Sequence, residues 1–305
     1  MPDSVAITVG IATRNRPQSL LRCIKSLALI GDLVTQIVVA DDSSEVPAAH
    51  VLTTVDLATA AKLQVIRHEG SPGPIAGRNA IMKRAKNDYV LSLDDDAYLL
   101  EGAGIRRAVA LMDGHPAIAA VACAQAEANG APWPAGMQPA PVTYACTVPA
   151  FIGFAALIRR AAFHEVGGYR EPMHYYGEEK DLCVRLWHAG YQVVYLPDVR
   201  VAHVPDPAGR SQARYVRYAI RNDCLFALYN EPLPLPFVSV PIRLARYFSM
   251  SRGQADPGGL GWIIRDLARQ LPVVLGARRP VTWKSLRQWR RVQRTSPAFP
   301  VAATP

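Results

Sequence analysis

Over residues 5–93, short apolar runs rich in β-branched residues alternate with segments in which apolar positions recur at helical spacing. Residues 5–12, 36–40, 63–67 and 89–93 read as strands, and residues 17–27, 48–61 and 75–85 as helices. The order βαβαβαβ predicts an α/β fold with a mostly parallel sheet flanked by helices on both faces. Uninterrupted apolar stretches such as Ile37-Val38-Val39 and Val90-Leu91 suit strands buried on both sides. Further on, a helix opens at Glu178 with Leu182, Leu186 and Ala189 on its inner side, Gly190-Tyr191 ends it, and residues 193–196 form another strand. Helical periodicity returns from Ser211 to Tyr229 and, beyond the break Pro232-Leu233-Pro234-Leu235-Pro236, over residues 242–250, 260–275 and 283–294. An α/β body over residues 1–230 is therefore expected, followed by a helical extension over 231–305.

Open sheets of this kind bind ligands beyond the carboxyl ends of their strands, and there the chain is polar. The first strand runs into Thr13-Arg14-Asn15-Arg16-Pro17 and the second into Asp41-Asp42-Ser43-Ser44. The third leads to Gly70-Ser71-Pro72-Gly73-Pro74 and then Arg78-Asn79, and the fourth into Asp94-Asp95-Asp96. Neither Gly-x-Gly-x-x-Gly nor a Gly-Lys-Ser/Thr loop is present, so phosphate charge must be met in another way. Three adjacent carboxylates after a buried strand repel one another, and a hard divalent cation, Mg²⁺ or Mn²⁺, relieves that cost while leaving coordination positions for a diphosphate. The competing reading is an acidic turn capping the helix that follows Tyr98.

A second acidic group, Glu178-Glu179-Lys180-Asp181, opens a helix, where the dipole favours carboxylates of any role. Asp181 precedes Arg185 by four residues and predicts an intrahelical ion pair. Glu179 is a candidate general base, since transfer to a hydroxyl requires a group to take its proton. His203 follows the apolar run Val199-Arg200-Val201-Ala202; a packed histidine and a ligand both remain open for it.

Charge changes the picture only when it is divided along the chain. Residues 1–205 hold 18 Lys+Arg against 20 Asp+Glu, while residues 206–305 hold 16 against 5, so the last third carries the entire net charge of +9. The helix near residues 283–294 interleaves Trp283, Leu286 and Trp289 with Lys284, Arg287, Arg290 and Arg291. That pattern fits an anionic membrane surface and equally a packed helix with its arginines in water. No known nucleic-acid-binding motif accompanies the basic excess, which argues against a basic nucleic-acid-binding protein. The five cysteines are scattered without a Cys-x-x-Cys pair. With no leader pattern and no apolar run long enough to span a bilayer, a cytoplasmic enzyme is expected, peripheral on the inner face of the membrane if the basic third docks there.

The set Thr13-Arg14-Asn15-Arg16-Pro17, Asp41-Asp42-Ser43-Ser44, Arg78-Asn79, Leu93-Asp94-Asp95-Asp96 and Gly177-Glu178-Glu179-Lys180-Asp181-Leu182 resembles, in order and spacing over about residues 5 to 230, the family 2 inverting glycosyltransferases of GT-A fold. It looks most like the rhamnosyltransferase-type and galactofuranosyltransferase-type members. The resemblance implies an inverting transfer from a nucleoside-diphosphate sugar, UDP or dTDP favoured, to a hydroxyl of a glycan, lipid-linked or small-molecule acceptor. By position it implies nucleotide and donor contacts from Thr13, Arg16, Asp41, Asp42, Arg78, Asp94 and Asp95. Metal ligation falls to Asp96 with Asp94 and His203, and catalysis to Glu179 beside Glu178. Gly153 and Phe154 would stand on the acceptor side, and Gly167-Gly168-Tyr169 on an acceptor floor or a helix cap. The chain departs from the commoner Glu-Asp pair in having Glu178-Glu179, one methylene longer at the second position. The enzymatic rival is a sugar nucleotidyltransferase, which carries a glycine-rich basic signature near its start where this chain has Thr13-Arg14-Asn15-Arg16-Pro17.

Overall fold

The computed structural model describes residues 5–70, 72–206, 211–252 and 256–301; Ser71 of the glycine-proline segment lies outside them. In chain order the elements are β1 (Ile7–Thr13), α1 (Pro17–Ser26), β2 (Val34–Asp41), the short α2 (Ala48–Val51) and α3 (Leu57–Ala60), β3 (Leu63–Arg67), α4 (Pro74–Arg84), β4 (Tyr89–Asp94) and β5 (Ala97–Leu99). There follow α5 (Ala103–Gly114), β6 (Ile118–Ala126), β7 (Cys146–Thr147), β8 (Ala155–Arg159), α6 (Arg160–Glu165), α7 (Glu178–His188) and β9 (Gln192–His203). The remainder is helical: α8 (Gln212–Asn230), α9 (Pro236–Met250), α10 (Gly259–Ala277) and α11 (Trp283–Thr295).

One sheet runs in the order β3-β2-β1-β4-β8-β6-β9-β5, with β7 paired to β9. Its first four strands are parallel, as expected from the alternating pattern. Beyond β4 the sheet is mixed, because β8 joins β4 and β6 antiparallel while β6 and β9 are parallel. The chain leaves β1 toward β2 on one side and returns through β4 on the other, so the carboxyl ends of β1 and β4 open onto the crevice at the switch in strand order. Alternate residues serve opposite faces. Ile37 and Val39 join a cluster with Leu20, Ile24, Ile105 and Met112 of α1 and α5, whereas Val38 and Ala40 join Ile81, Phe163, Leu182 and Phe226 of α4, α6, α7 and α8.

Three expectations change. Residues 48–61 do not form one helix: Thr53, Thr54 and Val55 are poor helix formers, and Asp56 starts α3 afresh by accepting the Thr59 amide at 2.9 Å. The strand expected over 193–196 continues to His203, because residues 197–199 bulge out where its register with β6 shifts between Cys123 and Ala124, which accommodates Pro197. The aspartate triplet does not cap a helix; it turns directly into β5, which pairs with β9 through Ala97 opposite His203. In addition, Pro236 opens α9 near its first turn, where a missing amide hydrogen costs nothing.

In α11 the apolar stripe is buried beyond its first residue, Trp283, which stays exposed. Leu286, Trp289 and Val292 join the main core, and the Trp289 indole donates to the Pro149 carbonyl at 2.8 Å. Its interleaved arginines therefore belong to a helix packed on the body. Among the described residues no helix is long and apolar enough to cross a membrane.

Asp181 knots this body together. Wholly buried, it accepts from Arg170 at 2.5 Å, from Asn230 at 2.6 Å and from Arg185 at 2.6 Å, the last being the expected pair one turn along α7. Burial pushes its pKa up, but Arg185, Arg170 and Asn230 outweigh that and hold it below the ordinary value. Removing it strands two arginines in the interior, so Asp181→Ala should destabilise the fold by about 3–5 kcal/mol in urea denaturation. The depressed pKa sets the sign with pH. The contribution is fully present above the unfolded carboxylate pKa of about 3.9 and is lost as pH falls through the folded value, so the variant's deficit should shrink in acid.

Candidate active site

At the mouth of β1 the backbone turns through Asn15, which has a positive φ of 55°, before Pro17 starts α1. This turn aims Thr13 and Arg16 at the end of β4. The Thr13 hydroxyl donates to Asp95 at 2.8 Å, and the Arg16 guanidinium reaches Asp95 at 3.1 Å and Asp96 at 3.3 Å. Asp96 also accepts the Asp206 amide at 3.1 Å. The neighbours titrate apart. Burial drives the Asp95 pKa up to about 6 against the pull of Arg16 and Thr13. In Asp96 burial is outweighed by His203, the Asp206 amide and Arg16, which bring it down to about 2. Thr13 and Arg16 thus organise the triplet, whatever else they line.

His203, at the end of β9, stands 3.5 Å from Asp96. Its ring is stacked between Trp133 at 5.4 Å and Phe154 at 5.1 Å. The orientation of its protons follows from Gln125. That amide nitrogen donates to the Met137 carbonyl, so its oxygen faces His203 Nδ1 at 2.7 Å. Nδ1 then carries a hydrogen, which leaves Nε2 facing Asp96: with a proton it pairs with that carboxylate, and without one it offers a lone pair to an ion. Nε2 is buried without a hydrogen-bond partner among the described residues. Asp94, Asp96 and His203 each offer one ligand atom, and these atoms lie within 4.8 Å of one another. Two carboxylates and an oriented imidazole fit Mg²⁺ or Mn²⁺.

Across the crevice, Arg78 of α4 joins the two acidic motifs. Its guanidinium, almost wholly buried, donates to Asp94 at 2.6 Å, to the Glu178 carboxylate and to the Gly153 carbonyl at 3.3 Å. Burial lowers an arginine pKa, but Asp94 and Glu178 raise this one well above its ordinary value. Glu178 is buried at 3 % exposure behind Arg78, where loss of solvent pushes its pKa up despite that partner. Glu179 keeps part of its surface open, though its carboxylate is ringed by protein; burial and the Glu178 charge push its pKa to about 8.

One of the expected acceptor contacts is corrected. Phe154 is 1 % exposed and is committed to the His203 ring, so it offers an acceptor no surface. Gly153 acts by having no side chain: a Cβ there would come within 2.1 Å of Glu179 Oε1 and 3.2 Å of Arg78. Gly167 and Gly168 take positive φ angles of 82° and 66° just after α6, which is the cap reading of that turn. Catalytic duty for Glu178 also fails on geometry, since Arg78 holds its carboxylate in the interior.

On the β2 side, Asp41 is fully buried and holds its own loop, accepting from the Ser44 and Ala48 amides at 2.9 and 3.0 Å and from Arg67 at 2.8 Å. It has no surface left for a nucleobase. Asp42 accepts the Gly73 amide at 3.0 Å and lies 3.8 Å from Arg14, tying the first three strand ends together. Sequence reasoning missed Gln125, Trp133 and Asp206. The Pro-Asp step just after His203 was a signal for Asp206; nothing in the sequence marked Gln125 or Trp133, which β6 and its following loop bring from some 70 residues away.

A model of glycosyl transferase family 2 matches residues 8–167, and one of the N-terminal domain of galactosyltransferase matches residues 138–205. A pre-mycofactocin glycosyltransferase of Mycobacterium tuberculosis is 31% identical over 217 residues, which are 66% of this chain and 43% of that protein. The chain thus spans less than half the length of this relative. Among solved structures, GalNAc-T7 with UDP, GalNAc and Mn²⁺ superposes with a TM-score of 0.61 at 16% identity, over 89% of this chain and 58% of that one. The mannosyltransferase PcManGT from Pyrobaculum calidifontis, in complex with GDP-Man and Mn²⁺, gives 0.59 at 15% identity over 95% and 83%. At such identities these likenesses establish the fold, and the family match covers more than half of the chain. The chain belongs to glycosyl transferase family 2, and its fold is that of the GT-A glycosyltransferases.

Proposed function

We propose that the protein transfers a sugar, with inversion, from a nucleoside diphosphate to a hydroxyl of a glycan, lipid-linked or small-molecule acceptor. The observation that carries this reading is the meeting of Asp94, Asp96 and His203 at the switch crevice, with Arg78 tying Asp94 to Glu178 and so holding the start of α7, and Glu179 with it, against them. The glycosyltransferase relative and structural neighbours holding UDP with GalNAc or GDP-Man support it, as do the Mn²⁺ ions named in both of those structures. UDP or dTDP is the favoured nucleotide.

Asp94, Asp96 and His203 would hold Mg²⁺ or Mn²⁺, which supplies Lewis-acid neutralisation of charge on the departing diphosphate. Asp42, beside Arg14, is the acid left to meet the nucleobase once Asp41 is accounted for. Glu179 removes the proton of the acceptor hydroxyl as that oxygen bonds to the anomeric carbon; the bond from this carbon to the diphosphate oxygen breaks, and the nucleoside diphosphate leaves with its electron pair. Arg78 keeps Glu178 from competing for the role, and the missing side chain of Gly153 leaves the space that the Glu179 carboxylate occupies.

Asp96→Ala should abolish Mn²⁺- or Mg²⁺-dependent release of nucleoside diphosphate from a panel of nucleotide sugars, and near-normal turnover would overturn its role. Glu179→Gln should lower kcat by about 10²–10⁴-fold while leaving donor affinity in place. Because a base works only when deprotonated and this pKa is raised, wild-type kcat/KM should fall as pH drops through an apparent pKa above the ordinary carboxylate range. The glutamine variant should lack that limb. Gly153→Ala, which forces the Glu179 carboxylate aside, should cost roughly tenfold or more in kcat with unchanged donor affinity and melting temperature; full activity would show that the carboxylate tolerates displacement.

A further inference from the structure

The C-terminal helices leave an apolar surface that the core does not use. On α9, Phe237, Val238, Pro241, Ile242, Ala245 and Phe248 follow one another at helical spacing along the outward face, with Phe237 75 % and Phe248 63 % exposed. On α10 the same spacing leaves Ile264, Ala268, Leu271, Pro272 and Leu275 outward, flanked by the exposed Arg265 and Arg269. The opposite faces of both helices are anchored on α8, through Tyr247 and Ile263 packed with Val216 and Ile220. Each stripe is thus a second apolar face on a helix that already has an inner one.

Charge selects the partner. Residues 231–305 hold 12 Lys+Arg against three Asp+Glu, and all three acids turn inward. Glu231 pairs with Arg243 at 2.8 Å, Asp256 with Arg217 at 3.0 Å and Asp266 with Arg221 at 2.7 Å. The outer surface is therefore apolar and cationic together. Two copies set face to face would oppose arginine to arginine with no carboxylate between them. A plane of anionic headgroups over hydrocarbon complements both properties.

We infer that α9 and α10 form a docking surface for an anionic lipid bilayer, with the aromatic and aliphatic stripes entering the headgroup boundary and Arg265 and Arg269 meeting lipid phosphates. This moves the contact away from α11, whose Leu286, Trp289 and Val292 are buried. α9 also contributes Arg246 and Met250 to a cavity of about 200 Å³ that is lined by Gly177, just before α7, and by Lys180 within it. The docked bilayer therefore lies against the helix that walls this cavity. The inference stands independently of the proposed reaction.

The test is sedimentation of the full chain with vesicles of phosphatidylcholine alone and of phosphatidylcholine with an equal part of phosphatidylglycerol, at low and high salt. Co-sedimentation with the anionic vesicles, weakened by salt, is expected, and the variant F237S/I242S/F248S should lose roughly tenfold or more of its partitioning. R265E/R269E should lose the salt-sensitive part. Retained circular dichroism and nucleotide-sugar binding in both variants separate this outcome from misfolding and from failure of the catalytic reading. Absence of binding to anionic vesicles at low salt, or wild-type partitioning by the serine variant, overturns the inference. So does a concentration-dependent dimer that the serine variant abolishes without change in vesicle binding, which would make this face a contact between copies.

Discussion

The buried guanidinium of Arg78 is the interaction on which the rest of the site depends. It comes from α4, and its partners come from the end of β4 and the start of α7, so a single planar cation fixes the distance between the two acidic motifs. Without it, Asp94 and Glu178 would repel across a space poor in water, and the crevice would open or one carboxyl would take up a proton. With it, the acids of the crevice divide. Glu178 is retired into the interior, Asp94 is turned toward Asp96 and His203, and Glu179 is left beside Gly153 with a pKa raised by burial.

The same economy governs the other strand ends. Arg16 gathers Asp95 and Asp96 as Arg78 gathers Asp94 and Glu178, so the triplet is held from both sides by arginines, one at the N-cap of α1 and one within α4. A site that concentrates negative charge is stable only when cations are built in, and only some of those carboxylate oxygens then remain available to an ion from solution. His203 adds a neutral ligand to that remainder. The carboxamide of Gln125 fixes its tautomer, and two aromatic rings fix its plane.

In the C-terminal helices, α8 plays the organising part. It turns Arg217 and Arg221 toward Asp256 and Asp266, binds α9 and α10 along two sides, and leaves the surplus of basic charge on the outside. The basic excess visible in composition is thus produced as a surface property by neutralising the few acids within.

The alternation of apolar runs with helical periods, and the polar clusters at each strand end, were sufficient to determine the parallel half of the sheet, the crevice and the acidic motifs, because strand and helix periods and the direction of parallel strands are local properties. Asp181 and Arg185 were legible for the same reason, lying one helical turn apart. Which carboxylate does what was decided only by tertiary structure. Asp41 and Asp42 are adjacent in sequence and equivalent in chemistry, yet one is consumed by its own loop; Glu178 and Glu179 differ only in which side of α7 meets Arg78, an arginine 100 residues away. Phe154 reads as an acceptor contact until β9 brings His203 against it, and α11 reads equally as a membrane-surface helix or a packed one until Trp289 finds the Pro149 carbonyl. A sequence records what a residue is able to bind; only the packed chain fixes which of those bonds the protein itself has already made.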